Sequence, residues 1–173
     1  MGTELGSIRD WYEYNSYVRK KYLRAIFRRL SSEERYRDRG ASFPSIVDIF
    51  VHVLDAYRYW FLFIYNDKLS EYKRLREIKR YSMKEVAQEE QNIDRHVLNL
   101  IRNLETRDLD KIISFRDGGR RRTIELRHML LHVIEEELQH RGELNALFWQ
   151  PNINPPHTEY EEWAMRVSSR GAK

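Results

Sequence analysis

The stretch "HVIEEELQHRGEL", residues 132–144, places imidazoles and carboxylates at helical spacing. His128, His132, Glu136 and His140 succeed one another at intervals of four. On a helix such neighbours stand about 5–6 Å apart along one slowly drifting face. Two of them can ligate the same divalent ion; otherwise they form a polar stripe facing water. A helical wheel separates the two readings. With Leu126, Leu130, Val133, Leu144 and Phe148 as the core stripe, His128 and His132 fall far round the back. Glu136 and His140 lie on its shoulder, where a side chain is half-buried. Glu137 and Arg141 fall nearer the stripe and are spaced for an i,i+4 ion pair.

The remaining histidines are His52, His96 and His157. His52 sits on the shoulder of a very apolar stripe, between Ile49 and Ala56. An imidazole there needs a partner or a use. His, Glu and His from two facing helices would make a three-ligand site with positions left open for water or substrate. A ferritin-like di-iron centre needs Glu-x-x-His on each of two helices. "ELRH" (Glu125 to His128) and "ELQH" (Glu137 to His140) share one helix, so that centre is rejected.

These residues need elements to position them. Apolar residues recur at helical spacing from about Leu5 to Leu30, tracing Ile8, Trp11, Tyr12, Asn15, Val18, Tyr22, Ala25 and Ile26. "SFPS" restarts the pattern, with Ser42 as N-cap and Pro44 in the first turn. The helix that follows carries the richest stripe, through Phe50, Tyr57, Trp60 and Ile64, and ends near Asn66. "DKLSEYKRLREIKRY" is a charged connection with some helical character. Ser82 and Glu85 form a capping-box pattern that opens a third helix reaching about Leu104. "KIISF" and "RRRTI" flank "RDGG", as in a short hairpin. A fourth helix runs from about Thr123 to Gln150, where "PNINPP" stops it. Gly142 inside it costs roughly 1 kcal/mol relative to Ala, which predicts close approach of another helix. Thr158 and Glu161 cap a short terminal helix. Four long helices of about 25 residues, roughly 40 Å each, predict an all-α four-helix bundle, one domain over residues 1–173.

Composition narrows the chemistry. There is no cysteine among 173 residues, which excludes disulfides, zinc–thiolate sites and a cysteine nucleophile. The net charge is +4 with acidic residues mixed throughout, which is not a phosphate-binding footprint, so nucleic acid is not the expected partner. No apolar run is long enough to span a membrane and no signal core opens the chain. We read the protein as cytoplasmic.

Taken in order, these pieces resemble the DinB family, the DinB/YfiT-like metalloenzymes. "YN" (Tyr14, Asn15) stands in the first helix. "SFPSIVDIFVHVLDAYRYW" resembles the family's Ser-rich start and its helix with one histidine followed by an aromatic and Trp. "LLHVIEEELQHRGELNALF" resembles its last long helix, approximately L-L-H-x-x-x-H-x-x-x-H-R-G-Q. "NPP" before a short terminal helix resembles the usual ending. The resemblance implies an up-down-down-up bundle and a divalent metal, with zinc, nickel, iron and manganese as the candidates. It implies ligands at His52 and His140, and a middle ligand at Glu136, where the family pattern has histidine. A carboxylate at that spacing is a competent ligand, and two His with one carboxylate is a known catalytic donor set. His132, where the family pattern also has a histidine, is expected to support the site from beyond the ligands. Tyr14, Tyr59 and Trp60 are expected on the pocket wall.

The resemblance further implies a small-molecule substrate, a homodimer and thiol-dependent S-transfer, with a low-molecular-weight thiol as cofactor, or hydrolysis by water. In either case the metal lowers the pKa of the attacking group. The alternative is a non-catalytic, stress-responsive bundle with a degenerate site that acts by binding a partner. An enclosed cavity opening on His52 and His140 would favour catalysis. A basic face built by "YKRLREIKRY" would favour nucleic acid.

Overall fold

A computed structural model describes residues 3–75 and 81–171. Most of the chain is helical. Helix α1 spans Glu4–Arg29, with the Thr3 hydroxyl capping Gly6 N–H. A short α2, Ser32–Tyr36, follows. Helix α3 spans Ile46–Tyr57 and continues as a π-helical turn over Arg58–Ile64. Helix α4 spans Met83–Asn103, and the predicted Ser82–Glu85 capping box closes its first turn. Strands β1, Ile112–Asp117, and β2, Arg120–Glu125, pair antiparallel. Helix α5 spans Leu126–Trp149, and α6, Tyr160–Gly171, ends the described chain. Helix α1 packs on α4 and α5, and α3 packs on the same two. The buried apolar side chains of all four form one cluster. Among the described residues no helix is long and apolar enough to cross a membrane.

Several boundaries differ from the expectation, each for a local reason. Ser45, not Ser42, caps α3: its hydroxyl accepts from Asp48 N–H at 3.2 Å and donates to the Asp48 carboxylate at 2.5 Å. Residues 123–125 extend β2 instead of opening α5, because Ile124 and Glu125 pair with Ile113 and Ile112. Gly118 and Gly119 both take positive φ, at 55° and 80°. That is the two-residue turn whose twist matches a hairpin. The terminal helix begins at Tyr160, two residues beyond the predicted Thr158 cap, and the Thr158 carbonyl accepts from the Tyr14 hydroxyl. The basic stretch "YKRLREIKRY" lies partly outside the described residues, at 76–80.

Gly142 is also a correction. A Cβ built there meets nothing within 4 Å, and the residue is exposed. Among the described residues no other helix approaches it, because it lies on the solvent side of α5 while its neighbour Arg141 faces the core. Gly142→Ala is therefore expected to stabilise the protein by roughly 0.5–1 kcal/mol, by restricting the unfolded chain. Urea denaturation measures this. A lowered midpoint would mean that something outside this chain packs on the glycine.

The core is not purely apolar. Arg19 on α1 is 3% exposed and donates to Glu137 of α5 at 2.7 Å and to Asp94 of α4 at 3.1 Å. The Tyr57 hydroxyl of α3 donates to the same Glu137 at 2.6 Å. The predicted Glu137–Arg141 pair is present at 3.4 Å, and Arg141 also donates to Asn15 at 2.7 Å. Glu90, 2% exposed, lies 4.0 Å from Arg19. Lys20 closes the rim at 2.6 Å from Asp94. Three cations thus face three carboxylates, and the network touches all four long helices.

Candidate metal centre

Helices α3 and α5 pack side by side, and their shoulders meet at His52 and Glu136. The i,i+4 spacing on α5 then brings His140 to the same point. His52 Nε2 lies 2.9 Å from Glu136 Oε1, and His140 Nε2 lies 3.3 Å from the same oxygen. The three ligand atoms lie within 4.8 Å of one another. His140 is the most enclosed, with 5% of its side chain exposed, against 28% for His52 and 23% for Glu136. Phe43 stacks on His52, with ring centroids 4.1 Å apart, and meets His140 edge-on at 5.7 Å. It fixes the planes of both rings.

The hydrogen bonding of His140 tests whether a cation fits. Its Nδ1 lies 2.8 Å from Glu143 Oε2, and that carboxylate also accepts from the Ser42 hydroxyl at 2.6 Å. Both ring nitrogens of His140 therefore face carboxylate oxygens. If Nδ1–H donates to Glu143, the lone pair of Nε2 points at Glu136. A neutral ring cannot satisfy both contacts; a second proton or a cation among the three atoms can. A carboxylate holding the far nitrogen of a ligand imidazole is also the usual support of a metal-binding histidine. Burial pushes the His52 imidazole below its ordinary pKa, which favours the neutral form. Burial raises Glu136, but its hydrogen bond with His52 and the nearby His140 outweigh that and hold it below the usual carboxylate range. Neutral imidazole and ionised carboxylate are the forms that coordinate a metal. The donor set fits a divalent ion.

Beside the trio opens a cavity of about 770 Å³, within the range of small-molecule sites. His52 and Glu136 form part of its wall, with Tyr59, Trp60, Tyr72 and His132. The π-helical turn presents Tyr59 and Trp60; such turns widen a helix by one residue and recur at functional sites. The hairpin packs on that turn, and its Arg116, Asp117 and Gly118 also line the cavity. His132 stands edge-on to Trp60 at 5.2 Å, and its nearest carboxylate, Glu135, is 3.8 Å away. His132, Glu135 and Glu136 form a second close group, but His132 and Glu135 are 42% and 65% exposed, and among the described residues no carboxylate orients His132 as Glu143 orients His140.

Tyr14 is placed elsewhere. It is buried among Trp11, Tyr160 and Trp163, under the Arg141 guanidinium, and does not line the cavity. Its position on α1 faces α6 rather than the trio. The expectation for Tyr14 is corrected on that ground. His96 bonds its own helix at Asn92 O, and His157 pairs with Glu162. Sequence reasoning missed Glu143, Ser42 and Phe43. For Glu143 a signal existed: it lies three residues after His140, one turn along the same face.

A search of curated proteins found no match. Among solved structures the chain is similar to a crystal structure of a DinB-like protein, YjoA, from Bacillus subtilis, with a TM-score of 0.64 and 15% sequence identity over 88% of this chain and 97% of that one. At that identity the likeness speaks for the fold. The family model described as "DinB family" matches residues 1–168 of the 173. With helices, trio and cavity in place, that match settles the classification: the chain belongs to the DinB family.

Proposed function

We propose that the protein is a metal-dependent enzyme of this family, acting on a small molecule by thiol-dependent S-transfer or by hydrolysis. His52, Glu136 and His140 would hold the ion. The observation that carries the reading is His140, with one ring nitrogen held by the Glu143 carboxylate and the other aimed at Glu136 and His52. The pairing of α1 with α4 and α5, and of α3 with the same two, supports the up-down-down-up four-helix bundle over one domain. When bound, the ion would lower the pKa of a thiol or a water so that it attacks as an anion at neutral pH. The chain's own side chains do the rest. Glu143 holds the Nδ1 proton of His140, and Ser42 steadies Glu143. Phe43 keeps the two rings in place. Tyr59, Trp60 and Tyr72 flank the substrate and exclude water. With no cysteine in the chain, any thiol arrives with the substrate or a small cofactor.

Elemental analysis of untagged wild type beside His52→Ala tests the reading. About one divalent ion per chain is expected in the wild type, strongly reduced in His52→Ala and unchanged in His96→Ala and His157→Ala. No bound metal after offering zinc, nickel, manganese and iron would overturn it.

A further inference from the structure

The cavity has a second chemical end. Arg74 and Arg116 both line it. Among the described residues neither guanidinium makes an ion pair, and the carboxylates of the lining are engaged elsewhere. Asp55 accepts from Arg58 at 2.9 Å, from the Tyr72 hydroxyl at 2.8 Å and from Leu75 N–H at 3.3 Å. Asp117 pairs with Arg122 at 3.0 Å. Glu136 belongs to the trio. Among the described residues, the two arginines therefore line the cavity without a bonded carboxylate.

Their backbone positions are anchored by their neighbours, while the side chains themselves are exposed. Arg74 sits between Tyr72 and Leu75, both bonded to Asp55, and Leu75 is buried. Arg116 follows Phe115, which is buried against Trp60, and precedes the Gly118–Gly119 turn. Across the hairpin Arg116 stands directly opposite Arg121. Like charges at that register destabilise a strand pair. Arg121 lines a neighbouring pocket, with Arg116 and Asp67, and an anion on Arg116 would ease the repulsion between the two guanidiniums. Tyr59, Trp60 and Tyr72 form an aromatic wall that suits an apolar or planar body.

We propose that the cavity takes a small organic acid, a carboxylate or phosphate ester on an apolar or aromatic body, with its acid group on Arg74 and Arg116 and its other end toward His52, Glu136 and His140. A guanidinium fork matches both oxyanions. This deepens the proposed function and rests on its metal end only for the direction in which the substrate lies.

The test is calorimetric titration of the full chain with phenyl phosphate, and with benzyl alcohol as the uncharged comparison. It is run on metal-loaded wild type, chelator-treated wild type, His140→Ala, and the double variant Arg74→Gln/Arg116→Gln. Phenyl phosphate is expected to bind both wild-type forms and His140→Ala, and to bind the double variant about tenfold or more weakly. Benzyl alcohol is expected to lose a similar factor against wild type. Both substitutions lie on exposed side chains, so the double variant should fold. Binding unchanged in the double variant overturns the proposal. So does binding that vanishes on chelation while both arginines are intact. A single-stranded oligonucleotide that binds through the same arginines more tightly than phenyl phosphate also overturns it. Because the chelated arm reads the anion end alone, failure of the metal reading leaves this result interpretable.

Discussion

Replacing His140 by alanine is expected to strip the protein of its metal while leaving its helices folded. His140 is the most enclosed member of the trio, and a carboxylate, Glu143, holds its far nitrogen. Losing a supporting group beyond the ligands typically costs ten- to a hundredfold in metal affinity, so loss of a ligand should exceed about a hundredfold. Glu143→Ala should fall in that smaller range, because it leaves the ligand but frees its ring. Glu136→His should keep or tighten nickel and zinc binding, since imidazole suits both ions, whereas Glu136→Ala should weaken it. Competition titrations against a chromophoric chelator measure all four. Full occupancy in His140→Ala would sink the ligand assignment. Equal affinity in both Glu136 variants and wild type would place that residue outside the coordination sphere.

Arg19→Ala is expected to destabilise the fold by about 3–5 kcal/mol, a large part of the 5–15 kcal/mol that holds a domain together. The loss is electrostatic more than volumetric. Glu137 would lose its closest cation, and Asp94 and Glu90 would face each other across the space that the guanidinium fills. Desolvation already pushes Glu90 above the ordinary carboxylate range, although Arg19 opposes it. Asp94 is raised by burial but pulled below its ordinary value by hydrogen bonds from Lys20 and Ser16 and by the charge of Arg19. Glu137→Gln alone should also destabilise strongly. The double variant Arg19→Ala/Glu137→Gln should lose less than the sum of the two, because the second change removes a charge that the first leaves unpaired. Urea unfolding of the four proteins supplies the cycle. Strict additivity would mean that the two residues do not act as a pair. The consequence reaches function, since Glu137 is adjacent to Glu136 and anchors the part of α5 that carries two of the three proposed ligands.

Much of this was legible in residue order. The period of apolar residues marked the four long helices, Ser82 and Glu85 marked the start of α4, and "RDGG" marked the hairpin. The wheel of α5 placed Glu136 on the shoulder and Glu137 with Arg141 nearer the core, where they lie, but His140, expected half-buried, is as buried as Glu137. All of these are local rules, set by 3.6 residues per turn, by capping hydrogen bonds and by the φ values glycine accepts.

What the tertiary structure decided depends on the rotation and depth at which helices meet. That His52 reaches Glu136, that Ser42 and Phe43 fold back onto the trio instead of starting α3, and that Tyr14 turns toward α6 follow from contacts between residues far apart in the chain. The buried charge network needed four helices at once. Helical spacing pairs Glu137 with Arg141 but does not join either to Arg19 or Asp94, which become their neighbours only when packing removes water from them all. The arginines of the cavity emerged the same way. Among the described residues neither has an ion-pair partner, since Asp55 and Asp117 of the same wall are bonded to Arg58 and Arg122, and no spacing along a single helix or strand contains that information.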